Sequence, residues 1–342
     1  MKVGIIGTGF MGTTHAAGWT ATDAELIGFV AETEESAAPL AAEYNARIFP
    51  TLAAILPQVD VVDICTPTDL HHQMVMQAAA AGKDIICEKP LARTVAQAQE
   101  MVRACLAAGV RLLVAHVVRF FPEYALAQAA VAAGDIGRPG VVRLSRGSYR
   151  PKKPIGNWFL DESLSGGILM DLMIHDFDYA RWIAGDVTSV FAKKVTQAHP
   201  DAAVDYGLAI LRHHSGALSH VAGAWAYPPP TFRTGLEIAG DAGLIAFDSG
   251  ATAPILNLIH AGGEGDAPDV ALPSSPTAES PYTTQIKEFY SALRHNHPVR
   301  VSAQDGLAAV QIAEAAIQSA ATGRPITLPP LPETNTISSI SP

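Results

Sequence analysis

The chain has 342 residues, more than a single hydrophobic core usually holds, so two domains are expected. With 49% hydrophobic and 16% charged residues it has the make-up of a folded globular protein, and no apolar run is long enough to span a bilayer. A formal net charge of -10 leaves no broad basic surface for nucleic acid and would be repelled by an anionic membrane, so neither is expected as a partner.

Met1 to Gly7 read as a first strand rather than a secretory leader, because glycines break the short apolar run and no small-residue cleavage site follows. Cys65, Cys87 and Cys105 are odd in number and lack metal-type pair spacing, which fits reduced thiols and a cytoplasmic location. From residue 1 to about 120, β-rich runs at Val3 to Ile6, Glu25 to Val30, Val59 to Cys65, Asp84 to Cys87 and Arg111 to His116 alternate with helical stretches. Those helices are Ser36 to Tyr44, Leu70 to Ala81 and Val95 to Gly109, and the rhythm predicts a doubly wound parallel sheet of the Rossmann type.

Directly after the first strand stands Gly7-Thr8-Gly9-Phe10-Met11-Gly12, a G-x-G-x-x-G motif that opens a helix. Glycines suit a tight turn whose amides and helix dipole receive a pyrophosphate, so Gly7, Gly9, Phe10, Met11 and Gly12 are assigned to a dinucleotide. About 20 residues further on, a carboxylate is expected on the adenosine ribose, and Glu32 is the candidate. No Arg or Lys stands between Phe29 and Glu35 to meet a 2′-phosphate, so NAD is expected over NADP.

Lys89, in Cys87-Glu88-Lys89-Pro90, lies at the end of the fourth strand, where open parallel sheets present residues to a ligand. Its ammonium suits a reacting oxygen, and the following proline restricts its backbone.

The pattern changes character near residue 120, giving domains 1–120 and 121–328 and a flexible tail 329–342. The second half carries alternating runs at Val141 to Arg146, Val187 to Val195, Tyr206 to Arg212, Leu218 to Trp225, Thr234 to Ala239 and Gly243 to Asp248. These predict an α+β domain with a mostly antiparallel sheet. A helix is predicted over Gly167 to Ala184, with two more near Thr284 to Asn296 and Asp305 to Ala321, and loop over Ala261 to Pro281. On one continuous helix Asp171 and His175, four apart, would share a face, letting the carboxylate orient an imidazole suited to accept an alcohol proton. A surface pair or a core histidine bonded to Asp171 accounts for the same spacing. His116, Asp171 and His175 are also zinc-ligand types, but no metal is expected, since a lysine ammonium already serves a reacting oxygen.

Taken together, these motifs resemble the family of glucose-fructose oxidoreductase, inositol dehydrogenase and the rhizopine-catabolism protein MocA. The marks are Gly7 to Gly12, Thr66-Pro67 with His71, Ala81-Gly82-Lys83, Glu88-Lys89-Pro90, Gly166-Gly167 with Asp171 and His175, and Thr322-Gly323-Arg324-Pro325. The resemblance implies a Rossmann domain joined to a domain with a large open sheet, whose exposed face pairs subunits into homodimers or homotetramers. It implies Lys89, Asp171 and His175 as catalytic residues, Asp171 as a substrate-binding carboxylate, and Thr66, Pro67, His71 and Glu88 along the nicotinamide half of the cofactor. It places Arg119 where family members line the substrate cleft, an assignment shared evenly with a domain-junction role. Trp158 is read as part of an apolar wall for a sugar ring, together with Trp225 and Tyr227, with buried core aromatics as the commoner reading of the same residues. Two departures stand out: Ala31 occupies the place usually acidic at the second strand's end, and Thr68 replaces a common Asn. The expected activity is NAD(P)-dependent hydride transfer from a secondary alcohol of a sugar or cyclic polyol. The alternatives are an NAD-retaining glycosidase and a non-catalytic nucleotide-binding sensor.

Overall fold

A computed structural model describes residues 1–151, 158–197, 204–250 and 279–331. The described chain divides into two compact units. The first holds Met1–Phe120 and, from near the C-terminus, helix α10 (Pro281–His295) with the start of α11 (Ala303–Thr322). The second runs from Phe121 and takes in the remainder of α11.

In the first unit the elements are β1 (Lys2–Ile6), α1 (Phe10–Trp19), β2 (Glu25–Val30), α2 (Glu34–Glu43), β3 (Arg47–Phe49), α3 (Leu52–Ile55), β4 (Val61–Ile64), α4 (Thr68–Ala80), β5 (Asp84–Glu88), α5 (Val95–Ala108) and β6 (Leu112–Ala115). The strands form one parallel sheet in the order β3-β2-β1-β4-β5-β6, so the strand order reverses at β1 and β4. Both faces are covered, which is why β4 and β6 are buried at every position. Helix starts are written locally, with the hydroxyls of Thr33, Thr51 and Thr94 capping α2, α3 and α5. The two C-terminal segments belong here by packing. Gly18 of α1 lies against Ile286 of α10, Gly306 of α11 lies against Val114, and the Arg111 guanidinium donates to the Ala292 carbonyl at 2.5 Å.

The second unit contains α6 (Pro122–Ala133), β7 (Pro139–Ser148), α7 (Glu162–Ser165), α8 (Gly167–Asp171), α9 (Ile174–Ala184), β8 (Val187–Gln197), β9 (Val204–His213), β10 (Leu218–Trp225), β11 (Phe232–Gly240), β12 (Leu244–Asp248) and, after α11, β13 (Ile326–Thr327). Its sheet runs β12-β11-β7-β10-β9-β8-β13, antiparallel throughout except where β7 pairs with β10. One face is covered: Leu169 and Met173 lie over Gly207 and Gly223, and Asp176 of α9 meets Arg146 of β7. On the other face side chains alternate outward, leaving Val195, Tyr206, Ile210 and Leu218 exposed.

The single helix expected over Gly167 to Ala184 is instead two helices. α8 ends at Asp171, α9 begins at Ile174, and between them the Met173 amide closes on the Ile168 carbonyl at 3.0 Å, a wider ring than an α-helix makes. Periodicity did not show the break because both helices bury the same kinds of residue; its position follows the Met173 side chain's seat on the glycines of β9 and β10. The loop expected over Ala261 to Pro281 and the tail from Pro329 lie mostly outside the described residues.

Candidate active site

The β1–α1 turn begins at Gly7, whose φ of +100° lies in the region that favours glycine. Its amide donates to the Val30 carbonyl at 2.8 Å, fixing the turn to the end of β2, and a Cβ here would lie 2.5 Å from the Cys65 carbonyl oxygen. A Cβ on Gly12 would overlap the Gly7 carbonyl itself, whereas one on Gly9 would meet no protein atom within 4 Å. No side chain caps the start of α1, in contrast to α2, α3 and α5. The first-turn amides of Phe10, Met11 and Gly12 are thereby left for an external anion, with open space beside Gly9 for its approach, so the turn fits a dinucleotide pyrophosphate. Glu32 is exposed two residues beyond β2, on the loop that Thr33 ends by capping α2.

β1, β4 and β5 end side by side, with Ile6 opposite Ile64 and Ile64 opposite Cys87. This brings the glycine turn, the Thr66-Pro67 corner and Glu88-Lys89 to one edge of the sheet. Thr66 and Lys89 are half-buried there, and Lys89-Pro90 is a cis peptide. His71 is fully buried, its Nδ1 2.8 Å from the Pro90 carbonyl and its Nε2 2.9 Å from the Thr66 carbonyl. It is a strut between the two corners, without the exposure a direct cofactor contact requires. Burial holds its pKa below the usual imidazole value, against the pull of those carbonyls.

Beneath this edge lies a polar cluster that motif reading missed. His15 of α1 has Nδ1 2.9 and 3.0 Å from the two Asp63 oxygens and 3.3 Å from the Cys65 sulfur, and Trp19 Nε1 donates to Asp63 at 2.7 Å. On its other side, His15 Nε2 lies 3.1 Å from Glu88 Oε1, an ion-pair distance set off the line a hydrogen bond needs. Glu88 Oε2 accepts from the Lys89 amide at 3.0 Å. Burial alone would depress His15, but the Asp63 carboxylate and then Cys65 outweigh it and hold the ring well above the ordinary imidazole range. The available signal was Asp63, the one acid in an otherwise apolar, fully buried strand.

In the second unit Asp171 is 7% exposed at the end of α8, and His175 is half-buried in the first turn of α9. The helix is broken between them, so the two residues lie on separate helices rather than on one continuous helix. Gly166 and Gly167, with φ of +80° and +64°, turn the chain from α7 into α8, which explains the paired glycines. Trp158 is half-buried and stacks on Phe159 with ring centroids 4.0 Å apart, whereas Trp225 is buried in the core. Arg119 is 1% exposed, donates to the Arg300 carbonyl at 2.8 Å and lies 3.3 Å from Asp305, which favours its structural role. His116 is fully buried. Among the described residues, the group with metal-ligand composition is His15, Asp63 and Cys65, not the His116, Asp171 and His175 weighed from the sequence.

Two family models match the chain. An oxidoreductase family with an NAD-binding Rossmann fold covers residues 1–116, and the GFO/IDH/MocA C-terminal domain covers residues 124–246. The inositol 2-dehydrogenase of Rhizobium meliloti is 30% identical over 340 residues, 96% of this chain and 99% of that protein. Among solved structures, GenD2 from gentamicin A biosynthesis, in complex with NAD, superposes with a TM-score of 0.83 at 26% identity, covering 96% of this chain and 97% of its own. Levoglucosan dehydrogenase with NADH and levoglucosan gives a TM-score of 0.81 at 26% identity, over 96% and 100% of the two chains.

Proposed function

This chain belongs to the Gfo/Idh/MocA family of NAD-dependent oxidoreductases, and from that premise we propose that it oxidises a secondary alcohol of a sugar or cyclic polyol through Lys89, Asp171 and His175. The observation that carries the reading is the sheet edge where the uncapped amides of α1 and the Glu88-Lys89 strand end flank the end of β4. When bound, NAD supplies the hydride acceptor. The Lys89 ammonium donates to the substrate oxygen and favours its negative charge as the carbonyl forms. Asp171 accepts from a substrate hydroxyl and orients the ring, and His175 takes the hydroxyl proton. Glu32 receives the adenosine ribose hydroxyls, and the absence of a cation from Phe29 to Glu35 selects NAD over NADP. Thr66, Pro67 and Glu88 border the nicotinamide half, with His71 acting through Thr66 and Pro90.

Residues 1–120, joined by residues 281–310, serve as the cofactor domain and the rest of 121–328 as the substrate domain, with Trp158 in the wall for the sugar ring. The open face of the seven-stranded sheet, with Val195, Tyr206 and Ile210 exposed, is the surface on which subunits pair into a homodimer or homotetramer, to be checked by light scattering. Among the described residues no helix is long and apolar enough to cross a membrane; the three buried free thiols support a cytoplasmic location.

The test is NADH formation when protein and NAD are offered inositols, aldoses and sugar acids, with NADP in parallel. Lys89→Met and His175→Ala should each lower turnover by roughly 100-fold or more while leaving NAD affinity near wild type. Near-native turnover in Lys89→Met removes that assignment. Sugar release without net NADH would instead point to a glycosidase that retains its cofactor.

A further inference from the structure

We propose that His15 is a positioning residue, the buried cation that holds Glu88 in place and through it sets the departure of Lys89 from β5. The proposal deepens the functional reading of Lys89 and rests on it.

Two carboxylates, Asp63 and Glu88, are buried within reach of one imidazole. Asp63 is satisfied three times over, by His15 Nδ1, by Trp19 Nε1 at 2.7 Å and by the Cys65 thiol at 3.6 Å. It is anchored in β4, in the middle of the sheet, so it cannot follow a moving partner. Glu88 is different: one oxygen faces His15 Nε2 at 3.1 Å and the other accepts the Lys89 amide at 3.0 Å. The chain of contacts therefore runs from a fixed acid, through an imidazole, to a carboxylate clasping the backbone of the residue whose ammonium works on the substrate. An imidazole without its second proton would leave two carboxylates sharing one neutral ring in a dry interior, an arrangement whose cost protonation removes. His15 also sits on α1, three residues past Gly12, so the same helix that offers amides to the pyrophosphate steadies the lysine.

The His15, Asp63 and Cys65 donors lie within 4.8 Å of one another and have metal-ligand chemistry. The 2.9 and 3.0 Å imidazole–carboxylate contacts, with the Trp19 indole and the Cys65 thiol donating to the same Asp63 carboxylate, describe protons at these positions instead.

The test uses His15→Gln and Glu88→Gln in the full-length protein. Glu88→Gln removes the ion pair without touching the Asp63–Trp19 contact, so it carries the test if His15→Gln does not fold. The substrate-free readout is the pH profile of Lys89 acetylation by acetic anhydride, followed by mass spectrometry with Lys2 and Lys83 as internal references. Both variants should change the Lys89 rate at least about threefold relative to the references, because the lysine leaves its set position. On a sugar or polyol that the protein turns over, kcat should fall by roughly tenfold or more with the KM for NAD little changed. An unmoved Lys89 profile overturns the proposal, as does stoichiometric zinc in the purified protein that disappears in His15→Gln. Near-native turnover of Lys89→Met alone would instead fell the reading beneath it, and the labelling profile tells the two failures apart.

Discussion

Replacing Gly7 and Gly9 by alanine, one at a time, should separate cofactor binding from folding in a measurable way. At Gly7 the new Cβ would start 2.5 Å from the Cys65 carbonyl oxygen and 3.2 Å from the Thr66 amide nitrogen. Ordinary contact begins near 3.4 Å, so the β1–α1 turn and the end of β4 must part by about 0.9 Å. Neither side yields freely, because the Gly7 amide is bonded to Val30 and the Cys65 amide is bonded to Ile6 at 2.8 Å. A φ of +100° adds roughly 1–2 kcal/mol for a residue with a side chain. A shift of that size at an anion-binding turn is worth about 100-fold, or about 2.7 kcal/mol, in NAD affinity. Calorimetric titration with NAD measures the affinity, and the thermal midpoint should fall with it. Gly9→Ala is the paired control: its φ of -73° suits any residue and its Cβ meets nothing in the protein. That variant should keep its midpoint within about 2 °C while losing NAD affinity comparably, since only the pyrophosphate competes for the space. An affinity within threefold of wild type for Gly7→Ala, or a large loss of stability for Gly9→Ala, would refute the reasoning.

Arg146 and Asp176 form a bidentate pair at 2.8 and 2.9 Å with almost no exposure. Arg146→Met should cost about 3–5 kcal/mol and lower the midpoint of the second unit by on the order of 10 °C, seen by calorimetry. His15 and His71 should pull stability in opposite directions about the ordinary imidazole pKa of 6.5. His15, raised in the folded state, contributes fully below that value and loses its contribution as pH rises through the folded pKa. His71, depressed in the folded state, contributes fully above it and loses its contribution as pH falls. Urea unfolding across pH should show both limbs, with the alkaline one flattened in His15→Gln. All three cysteines are buried with thiols pushed up by burial, Cys105 to about 12, so a thiol reagent at mildly alkaline pH should label none until the protein is unfolded.

Much of this was legible in the sequence where a local rule decides the outcome. The alternation of β-rich and helical runs gave the parallel sheet, because burial on both faces demands continuous apolar strands. Gly7 and Gly12 announced the tight β1–α1 turn, because neighbouring backbone leaves no room there for a Cβ. What stayed hidden depends on contacts distant along the chain. The break between Asp171 and Ile174 is set by glycines on β9 and β10, which no window around the helix contains. The burial of Arg119 follows from Arg300 and Asp305, far along the chain, and the pairing of His15 with Glu88 follows from strand order. Such residues look like ordinary polar positions until the topology assembles them.

The parallel pairing of β7 with β10 governs how the second half of the chain is made. β7 is complete at Ser148, yet its two neighbours are β10 and β11, which end at Trp225 and Gly240. Both edges of β7 therefore stay without their partners while the helices and strands up to Trp225 emerge from the ribosome. No hairpin can close it early, since its parallel partner β10 needs a long crossover and its antiparallel partner β11 begins only at Phe232. The second half should thus be the late, slow-zipping part of the molecule during synthesis, and the stage at which a nascent chain is most exposed to pairing with a neighbour.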